Sequence, residues 1–425
     1  MLYRLIGLLH KLFKFLKNRK FDKVDVIYQY ENPQIFLYFG ENFCSKRKSD
    51  VVKLKHNHYL NTINRHFHDS VDAWETLIES SIVPTGWKNS NLHNTAYSLK
   101  DKQLKLSSWI WTSAAICRYY YSKNDLENVI RICNAFLQRQ LPSGGWIVRT
   151  DIIKGNPTEI LAPNDSAYIA ANALVNGYRL TSDIKYLQAA ENCANWIIKT
   201  CKNDGMVYIG FDITNNSWLK EVNIVDTGFT AVLFVELYKL TSNKVYYDFV
   251  IQFAESYLNY FYDPKIGYMY SSTDSNNVGF GGYFTRGQAW ALEGLISIFS
   301  ITKNIRYYNI IETIIDQLSK SQLKDGSWPY NLSRPFYGID NKAVSVIANS
   351  ILTWTTLTKN MKYLNCAIKA HNWCKKSTVL KLNGFGYIID YSLEGAISYD
   401  LYSKVGMTYS TSYALENEIL IKELK

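Results

Sequence analysis

Apolar positions through most of the chain recur at three- and four-residue spacing, the period of an amphipathic helix. The run from Asp165 to Leu180 is rich in Ala, Leu and Val, and Leu187, Ala190, Ala194 and Ile197 continue it. Val250, Phe253 and Tyr257 show the same spacing further on. Each pair of helical runs is joined by a recurring signature. It reads Leu180-Thr181-Ser182-Asp183, Leu240-Thr241-Ser242-Asn243, Ile301-Thr302-Lys303-Asn304 and Leu357-Thr358-Lys359-Asn360, with a degenerate copy at Tyr121-Ser122-Lys123-Asn124-Asp125. Thr or Ser followed by Asp or Asn supplies a helix N-cap. A Gly-plus-aromatic turn follows each second helix: Gly144-Gly145-Trp146, Asp204-Gly205-Met206, Gly267-Tyr268, Asp325-Gly326-Ser327-Trp328 and Gly384-Phe385.

The repeat length of about 60 residues belongs to solenoids and toroids. Five hairpins are visible, and two helices lack a partner, one near Val71 to Ile82 and one near Thr411 to Leu424. Pairing them closes a ring, whereas an open stack requires polar capping repeats at both ends. The pattern therefore predicts an all-α fold, an (α/α)6 toroid, over residues 68–425. A basic amphipathic helix is expected at 1–21 and an extension at 22–67. No Pro/Gly/Ser-rich linker marks a further division.

The first 21 residues set Leu5, Leu9, Leu12, Phe13 and Leu16 on one helical face, interrupted by Lys11, Lys14, Lys17, Arg19 and Lys20. The apolar run falls short of the about 20 residues that span a bilayer, and its lysines break a signal-peptide core. A helix of this kind lies in an anionic interface, so residues 1–20 are expected to meet an anionic membrane surface. Docking on the protein's own body and an uncleaved or atypical export signal are the alternatives. The composition, 47% hydrophobic and 20% charged with a formal charge of +10, suits an acidic polymer or that surface. No nucleic-acid motif accompanies it, so nucleic acid is not an expected partner. Seven scattered cysteines without a Cys-x-x-Cys pair read as reduced packing thiols. The expected location is cytoplasmic, peripheral at the inner membrane face.

In a closed ring the first helices of the pairs line the inside, and their amino ends gather at one mouth. The residues at those ends are Asn164-Asp165, Val225-Asp226, Arg286-Gly287-Gln288-Ala289-Trp290 and Asp340-Asn341. Trp109, Trp111, Trp146, Trp328 and Tyr337 flank them. Aromatic faces with a few convergent polar groups suit a sugar, and Arg286 can pair bidentately with a uronate. An Asp before a helix is also a favoured cap, so Asp165, Asp226 and Asp340 have a purely structural reading as well. Trp146 and Trp328 follow the turn signature and fit packing equally. The expected site comprises Asp226 and Asp165 as catalytic groups. Asn164, Arg286, Gln288, Trp290, Asp340, Trp109, Trp146, Trp328 and Tyr337 are expected to contact substrate.

The segment Thr285-Arg286-Gly287-Gln288-Ala289-Trp290-Ala291-Leu292 resembles the Arg-Gly-Gln-Ala-Trp element of the unsaturated glucuronyl hydrolases, glycoside hydrolase family 88, with family 105 as a relative. Asp340-Asn341-Lys342-Ala343-Val344 is similar to that family's later helix start, and Asn164-Asp165 and Val225-Asp226 stand in the order of its two aspartates. The resemblance covers approximately Trp109 to Leu420. It implies a six-hairpin toroid without metal or other cofactor, acting by hydration of the C4=C5 double bond of an unsaturated uronic acid. Asp226 matches the general acid/base, and Asp165 the second aspartate, which orients substrate and keeps the acid's pKa raised by like charge. Arg286, Gln288 and Trp290 then bind substrate. The chain departs from the family at Asn164 and at Ser271, where histidines are common, and Thr227-Gly228 follows Asp226. Its basic amino terminus resembles instead toroid proteins of surface-polysaccharide biosynthesis, whose substrates ride on lipid carriers.

Other signals carry less. His56, His58, His66 and His68 form two His-x-His pairs without supporting cysteines. Gly279-Phe280-Gly281-Gly282 lacks the strand and Lys of a phosphate loop and reads as a flexible flap near Arg286. The leading expectation is a glycoside hydrolase acting on a uronate-containing or acidic oligo- or polysaccharide, lipid-linked if it is presented at the membrane. A uronate C5 epimerase or lyase and a membrane-associated, non-catalytic glycan-binding scaffold are the alternatives.

Overall fold

The computed structural model describes residues 69–83, 90–93, 96–98, 103–105, 109–153, 156–219, 223–274, 279–334, 339–378, 389–390 and 405–424. The amino-terminal amphipathic segment, Cys44, the four histidines at 56–68 and Tyr337 lie outside the described residues.

In chain order the helices are α1 (Ser70–Ser80), α2 (Trp111–Ser122), α3 (Leu126–Leu137), α4 (Pro163–Ile169), α5 (Asn176–Thr181) and α6 (Ile184–Thr200). They continue as α7 (Thr230–Thr241), α8 (Lys244–Phe261), α9 (Thr285–Thr302), α10 (Ile305–Ser321), α11 (Asn341–Thr358), α12 (Leu364–Ser377) and α13 (Thr408–Leu424). A π-turn, Ala170–Val175, welds α4 to α5 into one rod, and a 3-10 turn, Val225–Phe229, leads into α7.

Six of these rods form an inner ring: α2, α4–α5, α7, α9, α11 and α13 pack in sequence, and α13 returns to α2. The outer ring is α3, α6, α8, α10, α12 and α1, with α1 against α13 as the expected closing pair. The inner helices are buried around most of their circumference; in α11 every residue from Asn341 to Leu352 is buried. The outer helices are amphipathic, as in α10, where Tyr307, Ile310, Ile311, Ile314, Ile315 and Leu318 form the inward stripe. The fold is the (α/α)6 toroid.

The hairpin signature divides its work among its three letters. Thr181 Oγ1 donates to Gly177 O and accepts the Asp183 N–H. Ser182 takes a left-handed conformation at φ 59°, and the Asp183 carboxylate caps the next helix at Lys185 N. The same set recurs at Thr241–Asn243, Thr302–Asn304 and Thr358–Asn360. The cap belongs to Asp or Asn alone; the threonine ends the preceding helix.

Short antiparallel sheets lie in the connections from outer helices to the next inner ones, except between α10 and α11, where the described residues form only isolated bridges. One orders Ile147–Ile153, Asn156–Leu161, Phe211–Asp212 and Ser217–Trp218; another orders Gly279–Phe280, Ser272–Thr273 and Asn223–Ile224. These strands lie at the mouth formed by the amino ends of the inner helices. No helix among the described residues is long and apolar enough to cross a membrane. The six described cysteines are free thiols, and all but Cys201 are buried.

Candidate active site at the amino-terminal mouth

Three inner-helix starts pack directly on one another. The 3-10 turn Val225–Phe229 lies between the first turns of α4 and α9: Phe229 meets Tyr168 at 4.7 Å and Trp290 at 4.5 Å between ring centroids. Gly287 permits this approach, since a Cβ there would stand 2.5 Å from Val225 Cγ1. The turn is further held by Val225 N–H donating to Ser271 O and by the Tyr257 hydroxyl donating to Val225 O at 2.6 Å. Asp165, Asp226 and Arg286 therefore sit on three contacting first turns.

Their environments differ. Asp165 is 6% exposed, while Asp226 and Arg286 are half-buried. Neither Asp165 nor Asp226 occupies an N-cap; those positions belong to Ala162 and Ile224. Asp340 is the N-cap of α11 but makes no side-chain cap bond and is 0% exposed. Asn164 is buried, and its Oδ1 has no hydrogen-bond partner among the described residues. The negative field of Asp226 reaches Tyr257, whose phenol is pushed well above its ordinary value by burial first and by Asp226 second.

Several expected contacts resolve into structure. Trp146 and Trp328 are fully buried, and each indole N–H donates to a carbonyl ten residues upstream, Phe136 O at 2.9 Å and Leu318 O at 2.8 Å. They are packing residues rather than sugar platforms, because neither presents a face to the mouth. Gln288 spends its amide on Met269 N, Met269 O and Phe284 O and is sealed off, a correction to its expected role in binding. Asp340 is likewise buried. Trp290, 2% exposed, belongs to an aromatic layer with Trp111, Phe229, Tyr409 and Tyr413 that floors the mouth, so it offers an edge at most. Trp109, 36% exposed just ahead of α2, remains an accessible platform.

Ser271, standing where the resemblance leads one to expect histidine, donates to Gly282 O and accepts the Phe284 N–H, both at 2.8 Å. That bond pair, with the Gly279–Phe280 strand pairing, anchors the glycine-rich segment to the sheet and corrects its reading as a free flap. Sequence reasoning also missed Arg118, Glu293 and Glu416, which meet on the ring axis. For Arg118 and Glu293 a signal was present: each is a lone charge in its inner-helix run, as in Ala-Leu-Glu293-Gly-Leu, whereas Glu416 is followed by Asn417 and Glu418 and does not stand out.

The model of Glycosyl Hydrolase Family 88 matches residues 107–415, a span containing all six inner rods except the end of the last. The chain belongs to glycosyl hydrolase family 88. It is a hydrolase by that membership. Among solved structures, this family 88 chain is similar to an unsaturated glucuronyl hydrolase specific for heparin, at 17% identity and TM-score 0.64 over 86% of this chain and 97% of that one. The unsaturated glucuronyl hydrolase of Bacillus sp. GL1 gives 13% and 0.64 over 84% and 95%. A possible member of family 105 from Klebsiella pneumoniae gives 17% and 0.60 over 88% and 95%. At such identities these likenesses establish the toroid. No curated protein sequence matches the chain.

Proposed function

We propose that the protein removes an unsaturated uronyl residue from an acidic oligosaccharide, with Asp226 as general acid/base. The observation that carries this reading is the packing of the Asp226 turn between the starts of α4 and α9, which brings the addresses of Asp165, Asp226 and Arg286 to one mouth. The names of the two glucuronyl hydrolases of like fold supply the substrate class. Arg286 pairs with the uronate carboxylate. Protonated Asp226 delivers its proton to C4 of the C4=C5 double bond, and the resulting carboxylate takes a proton from the water that adds at C5. The C5 hemiketal then opens by breaking the C5–O5 bond, which leaves a ketone at C5 and a hemiacetal at C1. Collapse of that hemiacetal to the aldehyde breaks the glycosidic bond and releases the neighbouring sugar, so one water is consumed. Asp165, more deeply buried, orients the substrate beside Asp226.

Loss of the conjugated-alkene absorbance on incubation with unsaturated uronyl disaccharides tests the reaction. Wild type should turn over, and Asp226→Asn should lose at least about 100-fold in kcat, the usual worth of a general acid/base. No absorbance loss at any pH between acid and neutral removes the reading. A finer element, presentation of a lipid-linked substrate at a membrane, rests on the basic amphipathic face of residues 1–20. The full chain should co-sediment with anionic vesicles and a chain lacking those residues should not; equal co-sedimentation rejects it.

A further inference from the structure

The opposite end of the ring axis is not used by this chemistry, yet it is open and built of polar groups. A cavity of about 300 Å³ lies among the carboxyl-terminal halves of the inner helices. It is remote from the mouth described above: Arg286 and Ser297 share α9, and their separation in sequence corresponds to about 16 Å along the helix. The aromatic layer of Trp111, Tyr168, Phe229 and Trp290 lies between them.

The floor of the cavity is a closed ionic unit. Arg118 donates to Glu293 at 2.6 Å, to both oxygens of Glu416 at 3.0 and 2.8 Å, and to Asn349 Oδ1 at 2.8 Å. Burial pushes the Glu293 carboxyl above its ordinary value, while Arg118 and the Tyr413 hydroxyl, each donating to one of its oxygens, oppose that shift. The rim carries a second ion pair, Arg179 with Glu236.

The walls hold what the floor does not: unspent hydrogen-bonding groups. Asn172 and Asn176, 5% and 7% exposed, stand on and just after the π-turn, a rare geometry often kept at functional sites. Their amide nitrogens donate to Tyr168 O and Asn172 O, which directs each Oδ1 elsewhere. Among the described residues neither Oδ1 receives a protein donor, and the hydroxyls of Ser297 and Thr353 have no protein partner either. Asn172, Asn176, Ser297 and Thr353, which carry these two carbonyl acceptors and two hydroxyls, thus line one cavity.

We propose that this cavity is a second binding site, for a neutral polyhydroxylated molecule of about one pyranose ring. Hydroxyls of such a ligand donate to the two asparagine carbonyls and accept from Ser297 and Thr353. An anion is opposed by three carboxylates and by the negative ends of the surrounding helix dipoles. A cation is opposed by Arg118 and Arg179. The volume matches the small end of ligand pockets, about 300 Å³ and upward. The site stands independently of the hydrolase chemistry at the other mouth.

Saturation-transfer NMR and calorimetry on the full chain with D-glucose, D-galactose and L-rhamnose test it, with inorganic phosphate and potassium chloride as comparison probes. At least one sugar should bind saturably. Asn172→Leu, and separately Ser297→Phe, which fills the cavity, should each weaken it by about tenfold, the worth of a buried hydrogen bond or two. Arg286→Ala should leave it unchanged, and turnover of unsaturated disaccharide by Asn172→Leu should persist. Absence of saturable sugar binding to wild type overturns the proposal, as does equal loss in Arg286→Ala. Binding of phosphate or potassium in place of sugar overturns it too.

Discussion

The Tyr257 hydroxyl holds the carbonyl of Val225, the residue immediately before the proposed acid/base. Tyr257→Phe leaves that buried carbonyl without its donor, a cost of about 1–3 kcal/mol, and frees the Asp226 turn to shift. If Asp226 carries the reaction, kcat should fall by about tenfold or more, since small misplacements of a reacting group are costly, while KM should change little. A variant with wild-type kcat and lowered stability would show that Tyr257 is purely structural. Residues of this kind explain what the sequence hides at this scale. Trp146 and Trp328 carry the same letter as a sugar platform, and only the direction of the indole N–H, back toward the helix before it, separates packing from binding. Gln288 sits in the most specific motif of the chain and still spends its amide on backbone.

At the scale of elements the chain is more legible, because a hairpin turn must satisfy the same backbone groups each time. The Thr-x-Asp/Asn signature was readable as a helix boundary without knowing that the threonine bonds backward and the acid or amide bonds forward. The glycine turns follow the same logic. Gly326 has φ 98°, and a Cβ there would stand 2.3 Å from Lys369 O on α12. Gly326→Ala should therefore destabilise the protein by at least about 1 kcal/mol, since both the left-handed backbone and the close approach are lost. Denaturant unfolding with an unchanged midpoint would refute this. Asn304→Ala removes the α10 cap at Arg306 N and should cost about 1 kcal/mol on the same measurement. The π-turn at Ala170–Val175 had no such signal, because one extra residue in a helical turn leaves an apolar pattern nearly unchanged.

The whole molecule depends on a seam that no local pattern describes, where the first and last helices meet and complete the ring. Ser70 Oγ donates to Lys375 O and Trp74 Nε1 to Thr378 Oγ1, tying α1 to the end of α12. On the other side, His371 of α12 meets Glu418 of α13 at 2.8 Å, and Lys375 pairs with the same carboxylate at 2.6 Å. Since Glu418 only accepts, His371 Nε2 carries the proton. Its buried Nδ1 has no hydrogen-bond partner among the described residues, so a second proton there would lack an acceptor among them. Burial accordingly holds His371 below its ordinary value despite Glu418, and His93, boxed in by Arg131, lies lower still, with burial again the main cause. Both groups are depressed in the folded state, so the unfolded chain binds the protons more readily. Their contribution is complete above the unfolded histidine value of about 6.5 and declines as pH falls below it. Glu418, against burial, is drawn down to about 2 by Lys375 and His371 and stays ionised throughout. Thermal unfolding should therefore move to lower temperature between about pH 7.5 and 5.5, the interval that brackets the ordinary histidine value. His371→Phe should reduce that slope while lowering stability at the upper end, because Glu418 loses a donor. A wild-type unfolding temperature flat across the interval would mean that the seam tolerates the charge, and that closure of the ring rests on the apolar contacts of α1, α12 and α13 alone.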